Sequence, residues 1–140
     1  MTEIDAVLEE LLEKIEASRV TLRQDVPDDV FPVTHEVLQP GAPSIRGVRT
    51  PNMSGQPVVL EIQKGRQVVQ DDCLSAFEDP DFQTMLELYG GLSAQIVTPV
   101  FRDGRLVAIV SVHQLGRTRD WTMEEVAAAS RAAERVLELL

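Results

Sequence analysis

The sequence is short of the residues that most often advertise chemistry. One cysteine, Cys73, stands in 140 residues, so the chain cannot close an internal disulfide or build a zinc site from thiolates alone. There are only two histidines, His35 and His113, and no acidic cluster lies beside them at ligand spacing, which argues against a metal site. No Gly-x-Ser-x-Gly elbow and no glycine-rich phosphate cradle occurs. Ser93 and Ser111 have no base or orienter near them in sequence, so no catalytic set is legible and no enzyme is expected. Apolar runs are short as well, none approaching the roughly 20 residues that cross a bilayer. The opening Met1-Thr2-Glu3 lacks the basic and apolar regions of a signal peptide. Positive charge is scarce: 13 basic against 23 acidic side chains leave a net charge of −10. Such a chain repels phosphate backbones and anionic lipid over a Debye length, which argues against nucleic-acid and membrane partners. With its lone thiol, it is expected in a reducing cytoplasm.

What is present is an ordinary globular balance, 44% hydrophobic and 26% charged, at the length of one domain spanning 1–140. Residues 3–17 place Ile4, Val7, Leu8, Leu11, Leu12 and Ile15 on one helical face, a ridge wide enough for a sheet or for a partner helix. Residues 19–25 then alternate, Val20 and Leu22 on one face and Arg19, Thr21 and Arg23 on the other, as in a half-buried strand. A second strand is predicted at 33–37, where His35 shares parity with Val33 and Val37, a core-edge position. Residues 39–56 form a long Pro/Gly-rich loop, of the kind that is usually functional or mobile. Pro57 and Pro80 each open a short helix, separated by a brief strand at 67–70; Gly65 and Gly90-Gly91 stop the helices.

The C-terminal third is the most explicit. Strands at 93–101 and 106–114 flank Arg102-Asp103-Gly104-Arg105, and Asp-Gly between apolar runs is a hairpin turn because glycine accepts positive φ. Thr122 and Glu125 have the spacing of a capping box, with Trp121 and Val126 as the hydrophobic staple. The alanines at 127–129, 132 and 133 allow that last helix to pack closely. The fold expected is α+β: a central antiparallel sheet, both terminal helices on one face, loops and short helices over the other.

Leu92-Ser93-Ala94-Gln95-Ile96-Val97-Thr98-Pro99-Val100, the turn, and Leu106 to His113 resemble the core hairpin of GAF domains, and Trp121-Thr122-Met123-Glu124-Glu125 resembles the start of their terminal helix. A PAS-like sheet is the alternative. The GAF resemblance implies a ligand held on the sheet face away from the terminal helices, with residues 39–91 as its lid. Some relatives attach a bilin through cysteine, commonly followed by histidine; here Leu74 follows Cys73, and no cofactor is expected. The reductases of the family use several cysteines, and this chain has one.

The ligand-binding candidates are His113, Ser111, Arg46, Arg49 and Tyr89. His113 shares strand parity with Ile109 and Ser111; it either lines a pocket or is a hydrogen-bonded histidine at the core rim. Arg46 and Arg49 either clamp an anion or belong to a solvated loop. Tyr89, before Gly90-Gly91, offers its phenol to the same cavity or simply ends a helix. Asp71 and Asp72, adjacent and so pointing apart, read as turn and cap residues. The function expected is a small-molecule-sensing regulatory module, acting in trans as a homodimer through its terminal helices on a kinase or transcription regulator. The alternative is a ligand-free dimerisation or interaction module, for which a close-packed lid interior would be the mark. A small reductase or isomerase ranks third.

Overall fold

A computed structural model describes residues 2–140. The chain runs α1 (Glu3–Ile15), β1 (Arg19–Gln24), β2 (Val33–Leu38), α2 (Pro57–Gln63), β3 (Val68–Gln70), α3 (Pro80–Leu88), β4 (Leu92–Arg102), β5 (Arg105–Leu115) and α4 (Met123–Leu139). Short 3-10 turns at Met53–Gly55 and Cys73–Ser75 interrupt the segment between β2 and α3. The strands form one antiparallel sheet in the order β2-β1-β5-β4-β3.

Both long helices begin on a side chain that answers their orphan amides. Thr2 accepts from the Asp5 amide and Thr122 from the Glu125 amide, and in each case the acid returns to the cap's own N–H. Trp121 and Val126, the residues with staple spacing, both pack against the helix-side core. The leucine ridge of α1 is consumed within the chain: Val7, Leu8, Leu11, Leu12 and Ile15 are buried with Val20, Leu22, Val110 and Val112 of the sheet and with Ala128, Ala129, Ala132, Ala133 and Val136 of α4. The alanines let α4 lie close against α1 and the sheet, and the two helices cover the same sheet face.

The other face has its own core. Ile45, Ile62, Phe82, Met85, Leu86 and Tyr89, from the loop and the short helices, close over Val97 and Ile109. Residues 39–91, apart from the edge strand β3, are therefore a lid over the sheet, built from loop and short helices. Strand parity decides which side chains lie beneath it. Arg19 pairs with His113, Thr21 with Ser111, and Arg23 with Ile109, while Gln95 lies across from His113 and Val97 from Ser111.

Two details depart from the sequence reading. The polar face of β1, expected to be half-buried, is enclosed: Arg19 and Thr21 are fully buried and Arg23 is 7% exposed. The cause is β1's position between β2 and β5, with the lid above it. In β2 the register slips at Thr34, opposite the Leu22–Arg23 step. The slip puts His35 across from Leu22, on the helix side, while Val33 falls opposite Arg23 and joins the lid-side core. His35, Val33 and Val37 thus do not share one face.

Candidate functional site

The lid face of the sheet is where polar side chains concentrate in the interior. Arg19, on the central strand β1, donates from Nε to His113 Nδ1 at 3.0 Å. Its two terminal nitrogens reach lid carbonyls, Nη1 to Pro43 O and Nη2 to Tyr89 O, each at 2.8 Å. One guanidinium thereby ties two lid segments, distant in sequence, to the middle of the sheet. Because Nδ1 accepts, the imidazole proton sits on Nε2, the neutral tautomer. Burial first, and then the charges of Arg19 and Arg23, hold His113 well below the ordinary imidazole range.

Arg23, two residues along, donates from Nη1 to Phe31 O at 2.8 Å and from Nη2 to Tyr89 Oη at 2.7 Å. Tyr89 is the hub. Its backbone carbonyl takes Arg19, its hydroxyl takes Arg23 and also bonds Thr50 Oγ1, and its ring stacks on His113 with centroids 5.8 Å apart. Both guanidinium carbons lie within 6 Å of the Tyr89 ring centre, a cation–π range. Burial lowers the Arg19 pKa to about 10, so the group stays charged at neutral pH. Among the described residues neither Arg19 nor Arg23 forms an ion pair with a carboxylate. The hydrogen-bond acceptors of both buried cations are thus neutral, with the charge of Glu36 favouring the Arg19 cation without touching it, in a chain of net charge −10.

Two spaces adjoin this network. Directly between sheet and lid lies a cavity of only about 40 Å³, whose polar lining includes Gln56, Gln95, Ser111, His113 and Tyr89. It has room for one or two waters. The side-chain oxygen Oε1 of buried Gln56 has no hydrogen-bond partner among the described residues. The larger space is a cleft of about 440 Å³ between the β1–β2 connection and residues 45–53, lined by Arg23, Arg49, Thr50, Asp29 and an apolar wall. Arg23 lines both spaces and stands between them.

The structure gathers three of the sequence-derived candidates, His113, Ser111 and Tyr89, around the small cavity. Arg49 stands on the cleft, linked to that group through its neighbour Thr50, and Arg46 lies outside both, its guanidinium on Thr34 O at 3.3 Å. Arg19, Arg23, Thr50, Gln56 and Gln95 were not singled out in the sequence. The signal available for Arg19 and Arg23 was their alternation with Val20 and Leu22. Cys73 is fully buried, and burial followed by the Asp72 charge pushes its thiol up to about 12, the opposite of a reactive cysteine. Asp72 accepts from the Ser75 hydroxyl three residues on, a turn contact, whereas Asp71, expected to be a turn residue, accepts from the distant Trp121 amide and ties the end of β3 to the start of α4. His35 sits at the sheet edge with Nδ1 3.1 Å from Thr34 Oγ1.

A sheet with terminal helices on one face and a lid of loop and short helices on the other matches a known family. The GAF domain model aligns with residues 2–137. The chain belongs to the GAF domain family. Among solved structures, the GAF domain of the cyanobacteriochrome TePixJ superposes with a TM-score of 0.80 at 20% identity, over 98% of this chain and 89% of that one. A far-red absorbing dark state with bound biliverdin IXα gives 0.79 at 17% identity, over 99% and 89%. The photosensory core module of the Stigmatella aurantiaca phytochrome gives 0.77 at 16% identity, over 98% of this GAF chain but 32% of the larger module. At these identities the likeness is one of fold. No curated protein matches the chain in sequence. As it stands, the space between this sheet and this lid, about 40 Å³, is far below the several hundred Å³ of a cofactor-sized pocket and does not fit a bilin. No helix of this GAF domain is long and apolar enough to cross a membrane among the described residues.

Proposed function

We propose that residues 1–140 work as a small-molecule-sensing regulatory GAF module in signal transduction, non-catalytic and cytoplasmic, acting in trans as a dimer on a kinase or transcription-regulator partner. The observation that carries this reading is the buried network Arg19–His113–Tyr89–Arg23, which runs from the centre of the sheet through Tyr89 to Thr50 at a cleft of about 440 Å³. That volume is within the range of small-molecule sites, and the network is connected to both lid and sheet. A ligand bearing on Thr50 or Arg23 alters the contacts of Tyr89, and hence the latch that Arg19 makes. Sensing requires such differential contact between two states. Arg49 and Tyr89 are the sequence-derived residues nearest this role, with His113 and Ser111 behind them; Arg46 would have to swing in. The sensory structures of the same fold support the class of function.

For the dimer, the surface that remains is the groove between α1 and α4. Val7, Leu11 and Ala132 line it beside Glu10, Lys14 and Arg135, a mixed-charge border that a second copy can match.

Native mass spectrometry of freshly purified protein tests both parts. The expected spectrum is a two-protomer mass, with retained small molecule or with uptake on incubation with a metabolite panel. In parallel, a ligand raises the melting temperature as RT ln(1 + [L]/Kd). A strictly monomeric species removes the dimer, and a panel without any thermal shift at saturation removes sensing.

One observation favours a second reading. The sheet–lid interior is close-packed, with about 40 Å³ free, as a ligand-free dimerisation or interaction module would have it. A dimer mass with no ligand response selects that reading.

A further inference from the structure

Within the sensing reading, on which this rests, the chemistry of the cleft narrows the ligand. We infer that the cleft between the β1–β2 connection and residues 45–53 takes a small organic acid, with its oxyanion on Arg23 and Arg49 and its apolar body against Val30, Pro32, Val33, Ile45, Val48 and Met53.

The argument starts from charge. A buried cation without a counter-ion is costly, and proteins ordinarily place a carboxylate beside it. This chain has 23 acidic residues, yet none pairs with Arg23 among the described residues. Of the five N–H groups of a guanidinium, two are taken by Phe31 O and Tyr89 Oη. The others have no protein acceptor among the described residues, on a side chain that lines the cleft. Arg49 is exposed at the same cleft and makes no hydrogen bond or ion pair among the described residues. Two arginine forks facing one space suit a planar, bidentate oxyanion. Thr50 adds a hydroxyl and is bonded to Tyr89, so an anion there sits beside the contact that leads to Arg19. One acid, Asp29, also lines the cleft, and its Oδ1 accepts the Val30 amide. It opposes an anion, and so provides a test of sign.

The probes are benzoate, phenylacetate and hexanoate, each against its neutral amide, with inorganic phosphate as a further arm and sodium chloride matching ionic strength throughout. Thermal shift and isothermal titration are read on the full chain. The acids should raise the melting temperature and the amides should not. Arg23→Gln should weaken acid binding ten-fold or more, and Arg49→Gln, at an exposed site, about five-fold. Asp29→Asn should tighten acid binding about two-fold. If Arg23→Gln does not fold, the Arg49 and Asp29 variants decide alone. Equal response to acids and amides, or acid binding indifferent to Arg49→Gln and Asp29→Asn, overturns the inference while leaving sensing intact. Phosphate binding as tightly as the acids shows an anion site that ignores the apolar wall, and overturns the organic-acid class. Response to neutral metabolites alone has the same result, whereas no response to any compound removes sensing itself.

Discussion

At the scale of single residues, His113 is the most informative side chain. Its imidazole is neutral in the fold, held below the ordinary value of 6.5 by burial and by Arg19 and Arg23. The unfolded chain therefore binds a proton before the folded chain does. Stability is retained above about pH 6.5 and falls as the pH drops below it, by up to about 1.4 kcal/mol per pH unit from this one group. Denaturant titrations between pH 7 and 5 should show that slope reduced in His113→Gln, which has no proton to gain. Cys73 gives the converse expectation. With its thiol at about 12, roughly one molecule in ten thousand carries a thiolate at pH 8, so Ellman's reagent should react only as fast as the protein unfolds. Prompt labelling of the native chain would contradict the burial described above. The parity of Ser111 and His113 was legible from β5 alone, because alternation fixes which residues share a face. Arg19 and Arg23 were not, because a polar face turned to solvent and a polar face turned to a lid produce the same alternating pattern. Only the lid distinguishes them, and it is made from residues 39–91.

The elements divide in the same way between local and non-local causes. The hairpin and α4 are written in short-range signals: Asp103 and Gly104 both adopt positive φ at the turn, and Thr122 and Glu125 exchange their capping bonds. Thr122→Ala should cost about 1 kcal/mol in chemical denaturation, with fraying confined to the first turn of α4. By contrast, the slip of register at Thr34 that moves His35 to the helix side has no local marker, since a bulge is a property of two paired strands. The lid resists reading for a related reason. Its helices are short, each burying only three apolar residues, and its junctions are tied to the sheet by the Arg19 latch to Pro43 and Tyr89, a contact with no local sequence marker. Gly90 shows how tight that junction is: its φ is +86°, and an added Cβ would meet Pro43 Cγ at 2.7 Å. Arg19→Met should leave two buried acceptors, His113 Nδ1 and Tyr89 O, and the partly buried Pro43 O without their donor, and cost about 3 kcal/mol, less whatever is recovered by removing a buried charge. Hydrogen exchange should then quicken at 39–43 and 86–91 before it quickens in α1 or α4. Uniform acceleration would mean that the latch is no more local than the rest of the core.

For the whole molecule, the net charge of −10 is the dominant long-range term. Raising salt from about 10 to 150 mM shortens the Debye length from about 30 to 8 Å, which relieves self-repulsion. The melting temperature should climb across that range in sodium chloride; a decline would mean that the ion pairs Arg105–Asp25 and Arg135–Glu10 outweigh the net charge. The two-layered organisation was legible because both long helices carry clear apolar faces, and the leucine ridge of α1 admitted a sheet or a partner. The structure assigns it to the sheet and α4, leaving a charged groove outside. The sheet order also bears on how the chain is made. β1 is flanked by β2 and β5, and the donor on Arg19 waits for an acceptor 94 positions further along. At about 5–20 residues per second, roughly 5–20 s of synthesis separate them. Through that interval α1 has neither the alanines of α4 nor the valines of β5 to cover its leucines. A chain that stops before Arg105 should therefore remain sticky and protease-sensitive, because neither core closes until the last hairpin and helix are in place.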